Sequence, residues 1–254
     1  MKLKKLNQLF LLAGLSLCLT NAANAQSNET LLLRSPTVSA NNLAFVYGGD
    51  IWISDLNGSN PRRLTVNPAV EQSPVFSPNG KFIAFTGNYD GNNDIYVIPI
   101  EGGAPKRITY HPSADLVKGW LNNNELYFTS TRDYNYTLTS RMYSIKTDGT
   151  DEKALPMPEA VQGSPSADQR YWAYIKNTDP SDRSNVAFKR YRGGGMPSVW
   201  IFDTKTNEIE IIPGNASNNV KPQFVGNKVY FLSDKDLTLN LYSYDVKTKK
   251  VDQL

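Results

Sequence analysis

Residues 73–85, with the sequence SPVFSPNGKFIAF, are one of five copies of a pattern that extends along the chain. In this copy an apolar run follows a Ser-Pro pair, an Asn-Gly turn comes next, and a second run of aromatic and branched residues ends the segment. The triplet IAF at 83–85 and its counterparts are spaced by 40, 43, 46 and 57 residues: LAF at 43–45, LYF at 126–128, WAY at 172–174 and VYF at 229–231. Such a period indicates a protein built from structural repeats.

The segments after each triplet also repeat in the same order. A third run begins with an aliphatic residue or methionine followed by an aromatic one: Ile51-Trp52, Ile95-Tyr96, Met142-Tyr143, Val199-Trp200 and Leu241-Tyr242. The first two units then end in an Arg-x-Thr pattern at residues 63–65 and 107–109. Four short runs separated by Gly, Asn, Asp and Pro, without a helix-length segment of 3.6-residue period, predict a four-stranded antiparallel meander.

The packing of these meanders follows from their second strands. Residues 82–85 are apolar at consecutive positions, so both faces of that strand must be covered. Radially packed blades provide this cover, and a period of about 40 residues with four strands per unit is typical of a β-propeller. We predict an all-β fold with a lead-in at residues 26–34 and a propeller at 35–254. Its four-stranded antiparallel blades are expected at about 35–65, 73–109, 117–155, 163–212 and 220–254. A β-sandwich is the alternative, but it gives no reason for the repeats.

Turn and proline residues predict local details of the blades. Asn79-Gly80 should form a tight hairpin turn, because both residues tolerate positive φ. Pro74, Pro165 and Pro222 are expected at or near the starts of first strands, where a missing N–H is least damaging.

The first 25 residues have the features of a secretory signal peptide. Lysines at positions 2, 4 and 5 precede an apolar run from Leu6 to Leu19, and Ala23-Asn24-Ala25 matches a signal-peptidase site. Cleavage after Ala25 would place the protein in the periplasm or outside the cell. About 14 apolar residues are too few to span a bilayer comfortably, so a membrane anchor is the less favoured alternative. Lipidation of Cys18 is a minor alternative.

Charge and cysteine content exclude several classes of function. The net charge of +3 comes entirely from the three leader lysines, so the rest of the chain is balanced. A balanced chain gives no electrostatic reason to bind nucleic acid or an anionic membrane. Cys18 is the only cysteine, so the processed chain has no disulfide and no thiolate nucleophile or ligand.

Three stretches resemble known propeller families. Residues 73–97 are similar to the repeat shared by TolB-type propellers and the propeller domains of several peptidases. Two longer strings, GGAPKRITYHPS at 102–113 and FKRYRGG at 188–194 followed by VWIFD at 199–203, resemble the N-terminal propeller of the tricorn protease family. The resemblance extends over essentially all of residues 31–254.

The tricorn resemblance implies a piece of a large serine peptidase. In that family a six-bladed N-terminal propeller precedes a second propeller and a catalytic region with a PDZ-like module. The catalytic serine and histidine lie in that later region, so no position of this chain inherits them. We therefore expect residues 26–254 to be five blades of an incomplete six-bladed ring within a longer protein.

The implied function is that of a noncatalytic propeller in a secreted tricorn-like serine peptidase. It would guide or filter peptides, or support assembly, and its partners would be peptide or protein substrates, downstream catalytic domains of the same chain, and other copies in a homo-oligomer. Two alternatives remain: a free-standing TolB-type periplasmic module that binds proteins, and the propeller of a prolyl-oligopeptidase-like enzyme. A Gly-x-Ser-x-Gly elbow after residue 254 would favour the last of these.

The fourth unit has a long polar insertion that carries the candidate peptide-contacting residues Arg183, Lys189, Arg190 and Arg192. Long loops at blade edges often carry function, and arginine can bind a peptide carboxylate through two hydrogen bonds. The alternative is that these side chains pair with carboxylates of adjoining blades and fix the loop.

Other polar residues are assigned structural roles. His111, the only histidine, is expected to cap a turn by hydrogen bonding to the backbone, and no catalytic residue is expected. Oxygen-bearing side chains alternate from Asn88 to Asp94 as in a calcium loop, but the glycine is at 91 and no closing Glu follows. We expect a solvated turn there, no metal and no cofactor. Arg132 and Asp133 are expected to form a local pair.

Overall fold

The computed structural model describes residues 32–134, 139–176, 192–214 and 216–254. Every regular element in this part of the chain is a β-strand. The strands form five four-stranded sheets, and each sheet contains four consecutive antiparallel strands. The predicted all-β propeller with four-stranded blades is confirmed. The predicted signal peptide at residues 1–25 and the candidate residues Arg183, Lys189 and Arg190 lie outside the described residues.

The strand bounds are as follows. Blade 1 contains β1 (Arg34–Val38), β2 (Asn42–Tyr47), β3 (Asp50–Asp55) and β4 (Arg62–Arg63). Blade 2 contains β5 (Glu71–Phe76), β6 (Phe82–Gly87), β7 (Asp94–Pro99) and β8 (Lys106–Arg107). Blade 3 contains β9 (Asp115–Asn122), β10 (Glu125–Ser130), β11 (Arg141–Lys146) and β12 (Lys153–Ala154). Blade 4 contains β13 (Gln162–Pro165), β14 (Tyr171–Ile175), β15 (Trp200–Asp203) and β16 (Ile209–Ile211). Blade 5 contains β17 (Asn219–Val225), β18 (Lys228–Ser233), β19 (Asn240–Asp245) and β20 (Val251–Gln253).

Each junction between consecutive blades has its own apolar core. In β6, Ile83 and Phe85 pack with blade 1, whereas Ala84 between them packs with blade 3. The other two junctions, of blade 3 with blade 4 and of blade 4 with blade 5, contain separate clusters of the same kind. This arrangement explains the consecutive apolar residues of the second strands, because successive side chains of a strand point to opposite faces.

The first strands of the blades, β1, β5, β9, β13 and β17, are the innermost. Each of the first four contacts the innermost strand of the next blade. Four of them contain an irregularity in register; in β5 the pairing moves from Gln72 opposite Thr86 to Val75 opposite Ala84. Ser73 in this bulge has a φ of 52° and precedes Pro74.

The prolines lie at other positions than predicted, whereas the Asn-Gly hairpin turn forms where predicted but with a different backbone conformation. Pro74 and Pro222 lie within bulges in the interior of the innermost strands, where residues without a ladder partner need no N–H, and Pro165 ends β13. In the hairpin between β5 and β6 only Gly80 has positive φ, at 68°. The side chain of Asn79 instead accepts a hydrogen bond from the N–H of Lys81 at 3.0 Å.

Candidate functional site

Polar side chains gather at one end of the blades, which we call the connection end. There the second strand of each blade leads into the third, and the fourth strand leads to the next blade. In blade 1, Arg63 pairs with Asp50 at 2.7 Å. In blade 2, the Arg107 guanidinium binds both Asp94 at 2.6 Å and Asp90 at 2.8 Å. These pairs join third strands to fourth strands and fix the corners of the blades.

The predicted turn at residues 88–94 forms but is only partly solvated, because Arg107 pairs with two of its carboxylates. Asp94 is fully buried, and burial raises its pKa although Arg107 opposes this effect. Asn92 donates a hydrogen bond to the His111 carbonyl at 2.7 Å. The carboxylates of Asp90 and Asp94 therefore bind a guanidinium, and the Asn92 amide bonds to the backbone. Within the described residues, no three His, Cys, Asp or Glu side chains are grouped to hold a metal ion.

Glu71, the first residue of β5, is a buried carboxylate that sequence reasoning did not single out. It accepts hydrogen bonds from the Thr65 hydroxyl at 2.7 Å and from the Tyr89 hydroxyl at 2.9 Å. Burial raises the pKa of Glu71, although these two hydrogen bonds and the nearby Arg63 oppose the increase. The sequence signal was weak, because a single glutamate before a strand is normally read as a solvated residue.

Arg132 and Asp133 do not form the predicted local pair. Arg132 extends to the first strand of its own blade, where it binds the fully buried Asp115 at 2.7 Å, and it also pairs with Glu152. Asp133 is 3.5 Å from Arg141 instead. The reason is electrostatic, because a buried carboxylate requires a counter-charge more strongly than the exposed Asp133 does.

Arg192 is the one candidate peptide-contacting residue that the structure describes. Its guanidinium donates to the carboxylate of Asp234 at 2.8 Å and to the carbonyl of the same residue at 3.1 Å. Asp234 also accepts hydrogen bonds from Asn218. Burial would raise the pKa of Asp234, but the hydrogen bonds from Asn218 and Arg192 lower it. Arg192 thus ties the segment before β15 to blade 5, as the alternative interpretation of the basic loop requires.

His111 has the geometry of a turn-capping residue. Its Nδ1 atom accepts a hydrogen bond from the N–H of Ser113 at 3.0 Å. With Nδ1 occupied by the backbone, the ring is fixed against its own turn.

The innermost strands supply exposed side chains around the propeller axis. Gln72 of β5, Leu116 of β9, and Lys221 and Gln223 of β17 are exposed. This lining combines amides, a lysine and one aliphatic group, so it can contact both the backbone and the side chains of an extended peptide. The sequence signal for this lining is the alternation of side chains in the first strands, and the bulges interrupt that alternation.

Comparisons with known proteins match both the sequence and the fold of this chain. Residues 30–254 match the model of the tricorn protease N-terminal beta propeller domain. Tricorn protease homologue 1 of Streptomyces coelicolor is 29% identical over 216 residues, which cover 83% of this chain and 20% of that protein. The chain spans about a fifth of the length of the curated relatives that it matches.

Two solved structures share the fold. The crystal structure of the tricorn protease has a TM-score of 0.73 and 24% identity, covering 87% of this chain and 22% of that one. TolB from Acinetobacter baumannii has a TM-score of 0.65 and 20% identity, covering 87% of this chain and 53% of that one. No helix in the described residues is long and apolar enough to span a membrane.

Proposed function

The chain belongs to the family of tricorn protease N-terminal β-propeller domains, and we propose that it is the noncatalytic propeller of a secreted, tricorn-like serine peptidase. In this role it guides or filters peptides on their way to or from catalytic domains of the same longer chain. The observation that carries the proposal is the lining of the innermost strands. Side chains such as Gln72, Lys221 and Gln223 offer hydrogen-bond donors and acceptors around the axis, where an extended peptide would pass.

The proposal assigns chemistry to other domains and binding to this one. His111 is fixed in a turn. At the connection end, Arg107, Arg132 and Arg192 are each held in an ion pair with a carboxylate. These groups build the blades. We assign the contact with substrate to the exposed side chains of the innermost strands.

Peptide binding tests this function directly. A fluorescein-labelled mixed peptide library of about ten residues is titrated with the full chain, and anisotropy is measured with the double variant Lys221→Ala/Gln223→Ala. We expect saturable, weak binding that the double variant reduces severalfold. Lys205→Ala, which changes an exposed lysine in the turn after β15, is the matched control and should leave binding unchanged. Binding that is equal in all three proteins would contradict the proposed role of the lining.

A TolB-type protein-binding module is the second candidate, and the fold shared with TolB favours keeping it. The two functions predict different results in the peptide assay. A protein-binding module would not bind short peptides, and its binding of a partner protein would be unaffected by changes to the lining.

A further inference from the structure

Three blades contain the same corner at the connection end, which we call the inner corner. It is bounded by a stacked pair of aromatic rings from the second and third strands and by the first residue of the innermost strand. The stacked rings have centroid distances of 5.7, 5.5 and 5.9 Å: Phe85 with Tyr96, Phe128 with Tyr143, and Phe231 with Tyr242. The first residues are Glu71, Asp115 and Asn219, and each donates its N–H to a carbonyl of the preceding blade at 2.8–2.9 Å.

In blades 2 and 3 a side chain of the same blade fills this corner. The filling residue lies two positions after the end of the second strand. In blade 2 it is Tyr89, whose ring centroid is 4.4 Å from that of Tyr96 and whose hydroxyl donates to Glu71. In blade 3 it is Arg132, whose guanidinium lies 5.0 Å from the Tyr143 ring centroid and pairs with Asp115.

In blade 5 no side chain of the described residues fills the corner. The equivalent residue is Lys235, and its side chain is exposed. A cavity of about 340 Å³ lies beside the stacked rings of Phe231 and Tyr242, and Asn219 forms part of its wall. This volume is at the lower end of the range of about 300–1,000 Å³ found for small-molecule sites.

The lining of the cavity is polar and uncharged on the inside. Ser217, Asn219 and Ser233 are each at most 2% exposed, and their side chains form one hydrogen-bonded group. The charged groups, Lys235 and Asp236, are exposed, and Asp236 accepts a hydrogen bond from the Tyr242 hydroxyl at 2.6 Å. The interior therefore offers hydroxyl and amide partners beside an aromatic wall.

We propose that the inner corner of blade 5 binds a tyrosine side chain of a peptide, in the place that Tyr89 occupies in blade 2. The inference rests on the proposed function, because it names a side chain that the peptide-binding propeller recognises. The incoming phenol ring packs against the Phe231 and Tyr242 pair. Its hydroxyl bonds to the Asn219 and Ser217 group, as the Tyr89 hydroxyl bonds to Glu71.

The charges of the corner favour tyrosine over arginine. Arg132 in blade 3 is balanced by the buried Asp115, whereas blade 5 has the neutral Asn219 at that position. A guanidinium in the blade 5 corner would lose water without gaining a buried counter-charge.

Binding of single-residue probes tests the site on the full chain. N-acetyl-L-tyrosinamide is titrated by calorimetry and by protein-detected NMR, with the phenylalanine and arginine amides as comparisons. We expect saturable binding of the tyrosine probe and affinities about tenfold lower for the other two, because the phenylalanine probe lacks the hydroxyl that bonds in the corner and the arginine probe brings a charge that no buried carboxylate balances. No saturable binding of the tyrosine probe, or equal binding of all three probes, would overturn the inference.

Three substitutions test where the tyrosine probe binds. Lys235→Tyr supplies the blade 2 filling residue from within, so the chain should lose the tyrosine probe while remaining folded. Lys205→Tyr adds the same side chain at an exposed turn and should leave binding unchanged. Asn219→Asp restores the blade 3 carboxylate and should shift preference toward the arginine probe by about tenfold. Because Asn219 is buried, its variant is interpreted only where its melting curve matches the parent.

The two proposals can fail separately. The probes have no peptide chain to pass along the axis, so their binding does not depend on the innermost-strand lining. If Lys221→Ala/Gln223→Ala loses binding of the peptide library while Lys235→Tyr still binds the tyrosine probe, the tyrosine site alone is refuted. In that case the probe binds elsewhere on the chain.

Discussion

Replacing Glu71 by glutamine and by alanine separates the cost of burying its charge from the value of the hydrogen bonds that it accepts. The carboxylate is fully buried between blades 1 and 2, and the hydroxyls of Thr65 and Tyr89 donate to it. Alanine removes both acceptor oxygens and one methylene. A buried hydroxyl without a partner costs about 1–3 kcal/mol and the lost methylene costs about 0.8 kcal/mol, whereas removal of a buried charge offsets part of this cost. We expect Glu71→Ala to lower the free energy of unfolding by about 2–4 kcal/mol.

Glutamine keeps the shape of Glu71 and removes its charge. Because burial raises the pKa of Glu71 in the folded state, the folded chain binds this proton more tightly than the unfolded chain does. Stability contributed by this site is therefore greatest below the unfolded pKa of about 4.3 and falls as pH rises through the folded value. The stability of Glu71→Gln relative to the parent should thus increase from about pH 4 to about pH 7.

Urea unfolding followed by tryptophan fluorescence measures both effects. Comparison with the parent at each pH cancels the titration of the other groups. Glu101→Gln, at an exposed turn in blade 2, is the control and should show no pH-dependent difference. If Glu71→Gln destabilised the chain as much as Glu71→Ala at neutral pH, the charge would be favourable in its site and the argument from burial would be wrong.

Three further predictions concern charge pairing, export and catalysis. Arg132→Met should cost about 3–5 kcal/mol, because it leaves Asp115 buried without a counter-charge, and Arg132→Met/Asp115→Asn should recover most of this loss in the same urea assay. Mass spectrometry of exported protein should find Gln26 at the N-terminus; an intact Met1 on protein in the cytoplasm would refute export. The purified chain should hydrolyse no fluorogenic peptide, and turnover that His111→Ala abolishes would contradict a purely structural histidine.

The fold was accessible from the sequence because the pattern is repeated. A single strand such as β6 is ambiguous, since four consecutive apolar residues also fit a buried helix segment. Five copies at a regular spacing remove this ambiguity, and the interleaved packing of Ile83, Ala84 and Phe85 against two neighbouring blades explains why the pattern does not alternate. Repetition thus supplied information that no single unit contains.

The polar contacts were less accessible because they depend on chain folding between distant residues. The insertion of the fourth unit was recognised, but the partner of Arg192 is Asp234, which lies 42 residues later in another blade. Arg132 was assigned to its neighbour Asp133, and its real partner is 17 residues earlier. Sequence shows which residues carry charge. Only the structure shows which carboxylate is buried and therefore requires a counter-charge most strongly.

The inner corners show how one blade can acquire binding without loss of the propeller. Each junction has a separate apolar core, so a change confined to one corner leaves the other junctions intact. Blade 2 gains the packing of Tyr89 in its corner, whereas blade 5 forgoes an equivalent contribution. Lys235→Tyr should therefore raise the melting temperature while it abolishes binding of the tyrosine probe. A gain in stability together with a loss of binding is expected where a chain keeps an open binding site instead of filling it with a packed side chain.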